Sequence, residues 1–235
     1  MNNSEFEKNA FYKKTKPQQE KPRQIPRGSG MKNGFTYSFV GEYIEKILNP
    51  ERKMSREKKY ELLKERLKDS TLVDLGCGDP ISVKKAYEFA TAFEAKEYVG
   101  VDRYPSCSKE YYIEVIDYFK IHPEDPEGEV LSKLIEQKPK IPSIKLELGV
   151  DMLTFLKGRK DPSNFMMNGV DEDILFDEKF DQEYWNEIIA EIVRLVPKGG
   201  LVFGNQSVSF SELENFGFKR VIEEEHSNSQ FWEKI

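Results

Sequence analysis

Short apolar runs alternate with amphipathic helical patterns along residues 71–205, and this alternation restricts the fold more than any other feature. Strands that alternate with helices form a mostly parallel sheet with helices on both faces. Two further apolar runs end the chain, and the HSNS turn between them is too short for a crossover helix, so they must pair antiparallel. The predicted strands are 71–76, 97–101, 143–150, 164–170, 201–205, 218–225 and 229–235. We therefore predict an α/β fold with a seven-stranded, mostly parallel sheet and an antiparallel last strand.

The start of the chain differs in composition from the rest. Residues 1–32 carry eight Lys and Arg against three Asp and Glu, a balance of +5. Because the whole chain carries −6, residues 33–235 carry −11. We predict a disordered basic tail over residues 1–34, in which IPRGSG resembles the remnant of an engineered protease site. A single domain that begins with helices is predicted over residues 35–235.

Charge and composition restrict the classes of partner and site. An acidic domain argues against a nucleic-acid partner, because clustered basic residues supply most of the affinity for a phosphate backbone. No run approaches the roughly 20 apolar residues of a membrane helix, and the amino terminus lacks a secretory signal. Cys77 and Cys107 are too few for a disulfide framework, and His122 and His226 stand apart, so no metal site is predicted. We expect a soluble, cytoplasmic protein and leave its oligomeric state open.

A glycine-containing turn follows the first predicted strand in the run TLVDLGCGDP at 71–80, and we call residues 76–79 the glycine turn. Ligands of open parallel sheets bind outside the carboxyl ends of the strands. Gly76 and Gly78 would let the backbone pass close to a ligand where a Cβ would clash. This turn is therefore the first candidate for a binding site.

Carboxylates lie at or near the ends of the first three predicted strands. Asp74 lies within the first strand, Asp102 directly follows the second, and Asp151 directly follows the third. A carboxylate after the second strand can accept hydrogen bonds from both hydroxyls of a ribose. Asp151 can accept one from an adenine amino group, with the backbone N–H of Met152 available to a ring nitrogen. These positions suit a nucleoside-containing ligand.

The same motifs resemble those of the class I S-adenosylmethionine-dependent methyltransferases. The resemblance covers roughly residues 70–235 and implies a Rossmann-like seven-stranded sheet whose last strand is inserted antiparallel. It also implies S-adenosylmethionine as the cofactor. The motifs that carry it are VDLGCG at 73–78, YVGVD at 98–102, ELGVDM at 147–152 and VPKGGLVFG at 196–204.

The resemblance also implies which residues bind the cofactor. Gly76, Cys77 and Gly78 would line its methionine part, and Asp74 beneath them would help to orient the methionine amino group. Asp102 would hold the ribose hydroxyls, and Asp151 with Met152 would frame the adenine. The full set is Asp74, Gly76, Cys77, Gly78, Asp102, Asp151 and Met152.

Two other functions compete with methyl transfer. A dinucleotide-binding protein would carry GxGxxG, but Ile81 stands at the third glycine position, and the P-loop pattern is absent. A dehydrogenase is therefore disfavoured. The second alternative is a catalytically silent scaffold or partner subunit that binds S-adenosylmethionine, since no unmistakable catalytic base is present.

The methyl acceptor is expected at the end of the fourth predicted strand. Asn168 and Asp171 are the candidates for groups near the methyl, although Asp171 also suits a helix or turn cap. That strand end lacks the [DNS]-P-P-[YFW] motif of enzymes that methylate planar amino nitrogens, and it lacks a Pro-Cys pair. With no separate recognition domain, the sequence favours a small molecule or a protein side chain as the acceptor.

Overall fold

The computed structural model describes residues 57–125, 128–138, 140–168, 182–205, 210–223 and 229–235, and the single positions 43, 46, 47, 49, 51 and 53. The predicted basic tail lies outside these residues. Of the first predicted helix, the described positions Tyr43, Lys46 and Ile47 are helical. In the described part of the chain, no helix is long and apolar enough to cross a membrane.

Helices and strands alternate along the described residues. The helices are α1 Glu57–Leu67, α2 Pro80–Ala92, α3 Lys109–Ile121, α4 Glu129–Gln137, α5 Met152–Gly158 and α6 Gln182–Leu195, with a 3₁₀ helix at Ser211–Phe216. The strands are β1 Thr71–Leu75, β2 Glu97–Asp102, β3 Ser143–Leu148, β4 Asn164–Asn168, β5 Leu201–Asn205, β6 Phe218–Glu223 and β7 Ser229–Lys234.

The strands form one seven-stranded sheet in the order β3-β2-β1-β4-β5-β7-β6. Strands β1 to β5 pair in parallel, and β7 lies antiparallel between β5 and β6. The predicted fold is therefore confirmed, including the antiparallel last strand. The strand order reverses between β1 and β4, and open sheets of this kind bind ligands at that point, outside the carboxyl ends of the strands.

Both faces of the sheet are covered, which explains the nearly continuous apolar sequence of β1. Leu72 and Val73 are each fully buried but belong to different hydrophobic clusters. Successive side chains of a strand point to opposite faces, so one strand serves both clusters. The Leu72 cluster includes residues of α1 to α4, and the Val73 cluster includes residues of α5 and α6. The two clusters therefore pack against opposite faces of the sheet and hold its strands in place.

Two predicted strands end early at a glycine, β7 ends one residue early at Lys234, and β2 runs one residue further than predicted, to Asp102. Strand β1 ends at Leu75 because Gly76 has a left-handed φ of +78°, and β3 ends at Leu148 because Gly149 has a φ of +76°. A left-handed residue turns the chain out of the extended conformation. The predicted extensions to 169–170 and 224–225 lie outside the described residues. The ends at the two glycines matter because the chain turns there, at the carboxyl edge.

Candidate cofactor site

The glycine turn is bonded to the end of the neighbouring strand. The N–H groups of Gly76 and Cys77 donate to the carbonyl of Val101 in β2, at 2.9 and 3.0 Å. Gly76 and Gly78 have φ angles of +78° and +74°, a region that side chains with a Cβ rarely adopt. The turn therefore requires glycine at both positions and has a defined backbone path.

Helix α2 begins directly after the glycine turn. Pro80 occupies its first position, where the missing N–H costs nothing. The side chain of Asp79 caps the helix by accepting a hydrogen bond from the Ser82 N–H at 2.9 Å. This cap fixes where the turn ends.

Asp102 lies beside the glycine turn, as the sequence predicts for neighbouring strand ends. Its Oδ2 accepts a hydrogen bond from the Gly78 N–H at 2.8 Å, and its Oδ1 accepts one from the Tyr104 N–H at 2.7 Å. Burial raises the pKa of Asp102, while these two N–H donors oppose the rise. A carboxylate has about four acceptor positions, so roughly two remain for a ligand.

Asp74 is buried beneath the turn and bonded to a tyrosine. Only 2% of its surface is exposed, and the Tyr98 hydroxyl donates to its Oδ2 at 2.8 Å. Burial raises the pKa of Asp74 to about 7; the Tyr98 hydrogen bond opposes this rise and the nearby charge of Asp102 adds to it. Near neutral pH this carboxyl therefore changes between a proton donor and an anion.

Asp74 should make the stability of the protein depend on pH. Its pKa rises from 3.8 to about 7 on folding, so its stabilising contribution is fully present below about pH 4 and is lost as the pH rises through 7. The difference in unfolding free energy between wild type and Asp74→Asn should fall by roughly 2–3 kcal/mol from pH 5 to pH 8. Urea unfolding of both proteins across that range measures it. Parallel pH curves would contradict the shifted pKa.

Cys77 points its side chain into the protein interior. The side chain is fully buried, and a Cβ added to Gly100 would lie 3.1 Å from its Sγ and 2.9 Å from Leu146 Cδ2. Gly100 in the YVGVD motif therefore makes room for Cys77, a role that the sequence alone does not indicate. Burial raises the pKa of the Cys77 thiol, which keeps it protonated. The whole residue is buried, and contact between Cys77 and the methionine part of the cofactor stays a prediction.

The side chain of Asp151 caps helix α5. Its Oδ1 accepts a hydrogen bond from the Thr154 N–H at 3.1 Å, and its Oδ2 accepts one from the Tyr184 hydroxyl at 2.6 Å. Met152 is the first helical residue and is half-buried. The carboxylate keeps acceptor capacity on Oδ2. Contact with adenine by Asp151 and Met152 stays a prediction.

The ends of β2 and β3 are joined through Asp102. Its backbone carbonyl accepts hydrogen bonds from the N–H groups of Gly149 and Val150, at 2.8 and 3.3 Å. Asp102, which is predicted to hold the ribose hydroxyls, therefore lies between the glycine turn and the segment 149–150 that leads to Asp151. Asn168 is the last residue of β4, and Asp171 lies outside the described residues. The predicted catalytic candidates stay predictions.

Three tyrosine hydroxyls support the predicted site, a role that the sequence alone does not indicate. Tyr98 donates to Asp74, Tyr184 donates to Asp151, and Tyr112 donates to the carbonyl of Gly78 at 2.7 Å. They come from β2, α6 and α3. In the sequence each tyrosine looks like an ordinary core residue, because only the folded structure shows which group its hydroxyl donates to.

A polar cavity of about 590 Å³ lies at the opposite edge of the sheet. Thr71, Glu97 and Asn164, which line it, are the first residues of β1, β2 and β4. It therefore lies at the amino ends of the strands, away from every predicted site residue. Among the described residues, no group of three or more His, Cys, Asp or Glu side chains is arranged to hold a metal ion.

No protein-family model matches the chain, and no curated protein matches it in sequence. Solved structures similar to it include an rRNA methylase from Streptococcus thermophilus, at 13% identity, 78% coverage of this chain, 98% of that chain and a TM-score of 0.40. An rRNA methyltransferase from Streptomyces viridochromogenes matches at 8% identity, 83% and 92% coverage and a TM-score of 0.43. An N-methyltransferase from Bradyrhizobium japonicum matches at 13% identity, 76% and 93% coverage and a TM-score of 0.38. These similarities concern the fold alone.

One prediction about partners is wrong. The acidic charge of residues 33–235 predicts that nucleic acid is an unlikely partner, yet two of these similar structures are rRNA methylating enzymes. Net charge is a property of the whole surface, whereas nucleic-acid binding needs basic residues only where the backbone lies. An acidic chain with this fold therefore does not exclude an RNA acceptor.

Proposed function

We propose that the protein transfers a methyl group from S-adenosylmethionine to an acceptor. One observation carries the proposal: the 2.8 Å hydrogen bond from the Gly78 N–H to the Asp102 carboxylate at the carboxyl edge of the sheet. It brings together a glycine backbone that a ligand can approach closely and a carboxylate that can accept hydrogen bonds from ribose hydroxyls. Both lie at the point where the strand order reverses. A strand-to-helix turn with only a structural role has no need of a half-buried carboxylate with acceptor positions to spare.

The residues at this edge fit the cofactor chemically. Asp102 keeps roughly two acceptor positions, which matches the two hydroxyls of a ribose. Asp151 keeps one on Oδ2, which matches an adenine amino group. Asp74 lies beneath the turn and can become anionic near neutral pH, which suits a cationic amino group above it. When bound, S-adenosylmethionine supplies a methyl group on a positively charged sulfur.

The task of the protein in such a reaction is mainly alignment. Methyl transfer is an in-line displacement, so holding the acceptor in line with the methyl group lowers the barrier most. A base is needed only when the acceptor must lose a proton. Asn168 and Asp171 are the proposed groups on the acceptor side, and the acceptor class lies open among small molecules, protein side chains and RNA.

Isothermal titration of the purified chain with S-adenosylmethionine and S-adenosylhomocysteine tests the proposal. We expect micromolar dissociation constants, about −8 kcal/mol, and no heat from NAD⁺, the matched adenosine-containing control. A chain that binds neither sulfur compound would contradict the proposal. Fractions of small molecules, proteins and RNA incubated with methyl-labelled cofactor then identify the acceptor class. Binding without transfer to any fraction would favour the silent scaffold.

A further inference from the structure

Gly78 is held through both of its backbone groups. Its N–H donates to Asp102 Oδ2 at 2.8 Å, and its carbonyl accepts a hydrogen bond from the Tyr112 hydroxyl at 2.7 Å. Gly78 has a φ of +74° and, as a glycine, can adopt many other backbone conformations. Two side chains from different elements thus restrain one of the two glycines of the glycine turn.

The same Tyr112 hydroxyl also reaches the loop that follows Asp102, which comprises residues 103–108. It accepts a hydrogen bond from the Ser106 N–H at 3.3 Å, and its oxygen lies 3.4 Å from Ser106 Oγ. One hydroxyl therefore joins the glycine turn to the loop beside the predicted ribose residue. These are the two backbone segments that border the proposed site most directly.

Tyr112 has a position of its own that does not depend on these loops. Its side chain is fully buried within the larger hydrophobic cluster, on helix α3. The helix and the core therefore fix the ring, and the ring fixes where the hydroxyl donates.

Holding the Gly78 carbonyl also orients the next peptide group. A peptide unit is planar and trans, so a carbonyl and the N–H that follows it point in opposite directions. With the Gly78 carbonyl directed at the buried Tyr112 hydroxyl, the Asp79 N–H faces away from Tyr112. Asp102 fixes the Gly78 N–H on the other side. The backbone groups of the turn are thus set in place without the ligand.

We propose that Tyr112 is a positioning residue for cofactor binding, an inference that rests on the proposed function. It does not touch the cofactor but holds the glycine turn and the 103–108 loop in the arrangement that binds it. Restraining a binding site beforehand reduces the ordering that binding must otherwise accomplish. Loss of the hydroxyl should therefore weaken binding more than its effect on stability explains.

Tyr112→Phe tests this role, and Tyr87→Phe is its matched control. Tyr87 is also buried in the same cluster, and its hydroxyl also donates to a backbone carbonyl at 2.7 Å, that of Pro142. Each variant keeps its ring and leaves one carbonyl without its hydroxyl donor, so both should fold and lose a few degrees of melting temperature. Titration with S-adenosylhomocysteine should show roughly tenfold weaker binding for Tyr112→Phe and less than about a twofold change for Tyr87→Phe.

The outcomes separate this inference from the proposed function. If wild type binds S-adenosylhomocysteine and the two variants bind equally well at similar melting temperatures, Tyr112 has no positioning role and the proposed function stands. If wild type binds neither S-adenosylhomocysteine nor S-adenosylmethionine, the proposed function fails, and the role of Tyr112 fails with it. Selective loss in Tyr112→Phe alone supports both.

Discussion

Asp102→Ala should weaken binding of S-adenosylhomocysteine about 100-fold or more, because a charge-assisted hydrogen bond is worth about 1.5–3 kcal/mol and each 1.4 kcal/mol is tenfold. The variant loses the proposed acceptors for two ribose hydroxyls. It also loses the hydrogen bonds that Asp102 accepts from the N–H groups of Gly78 and Tyr104. Burial raises the pKa of Asp102, which means that the folded protein pays for holding this carboxylate charged. Its removal therefore offsets part of the stability that the lost hydrogen bonds cost. Binding should therefore suffer more than folding, and calorimetry with a melting curve measures both.

Glu97→Ala is the control for this experiment. Glu97 lies at the amino end of β2, the strand that Asp102 ends, and it is also half-buried. Its side chain lines the cavity at the amino edge of the sheet, away from the glycine turn at the carboxyl edge, so its removal should leave the affinity unchanged within about twofold. Equal affinities for the two variants would show that Asp102 is not the ribose residue.

The sheet could be predicted from sequence because its signals are local. A strand buried on both faces, such as β1, needs a continuous apolar run, and glycine marks its end. The antiparallel pairing of β6 and β7 followed from the length of their connection alone. Strand ends were less predictable, since Gly149 looks like part of an apolar run until its left-handed φ is known.

The candidate site could be predicted only in part, for a similar reason. Asp74, Asp102 and the glycine turn lie at or near strand ends. A parallel sheet brings the carboxyl ends of its strands to one edge, whatever the packing of the side chains. The second partners of these residues come from elsewhere in the chain: Tyr112 lies 34 positions from Gly78, and Tyr184 lies 33 from Asp151. No local pattern gives the direction of a buried hydroxyl. The supporting tyrosines therefore become visible only in the folded protein.

The burial of two charged residues in helix α2 could not be predicted from the sequence either. Lysine and glutamate are rarely buried, yet the Lys84 and Glu88 side chains in the run VKKAYEF are only 3% and 6% exposed. Lys84 Nζ lies 3.0 Å from Glu88 Oε1 and 5.5 Å from the centre of the Phe119 ring. Helices α3 and α4 contact α2, so a position that faces away from the sheet is still buried.

Lys84→Ala should lower the unfolding free energy by about 3–5 kcal/mol, because it removes one partner of a buried ion pair. The Glu88 carboxylate would lose the ammonium group that lies 3.0 Å from it while it stays buried. Lys133→Ala is the matched control, since Lys133 pairs with Glu129 at the same helical spacing, but both side chains are about half exposed. An exposed pair contributes less than about 1 kcal/mol. Urea unfolding measures both variants.

A double variant separates burial from charge. Lys84→Met with Glu88→Leu removes both charges and keeps the volume, and such replacements of a buried pair are often neutral or stabilising. We expect its stability within about 1 kcal/mol of wild type, well above that of Lys84→Ala. Equal losses for Lys84→Ala and Lys133→Ala would show instead that water reaches the Lys84 pair. Since α2 begins where the glycine turn ends, Lys84→Ala should also weaken cofactor binding. The double variant should bind the cofactor as wild type does, and calorimetric titration measures both affinities.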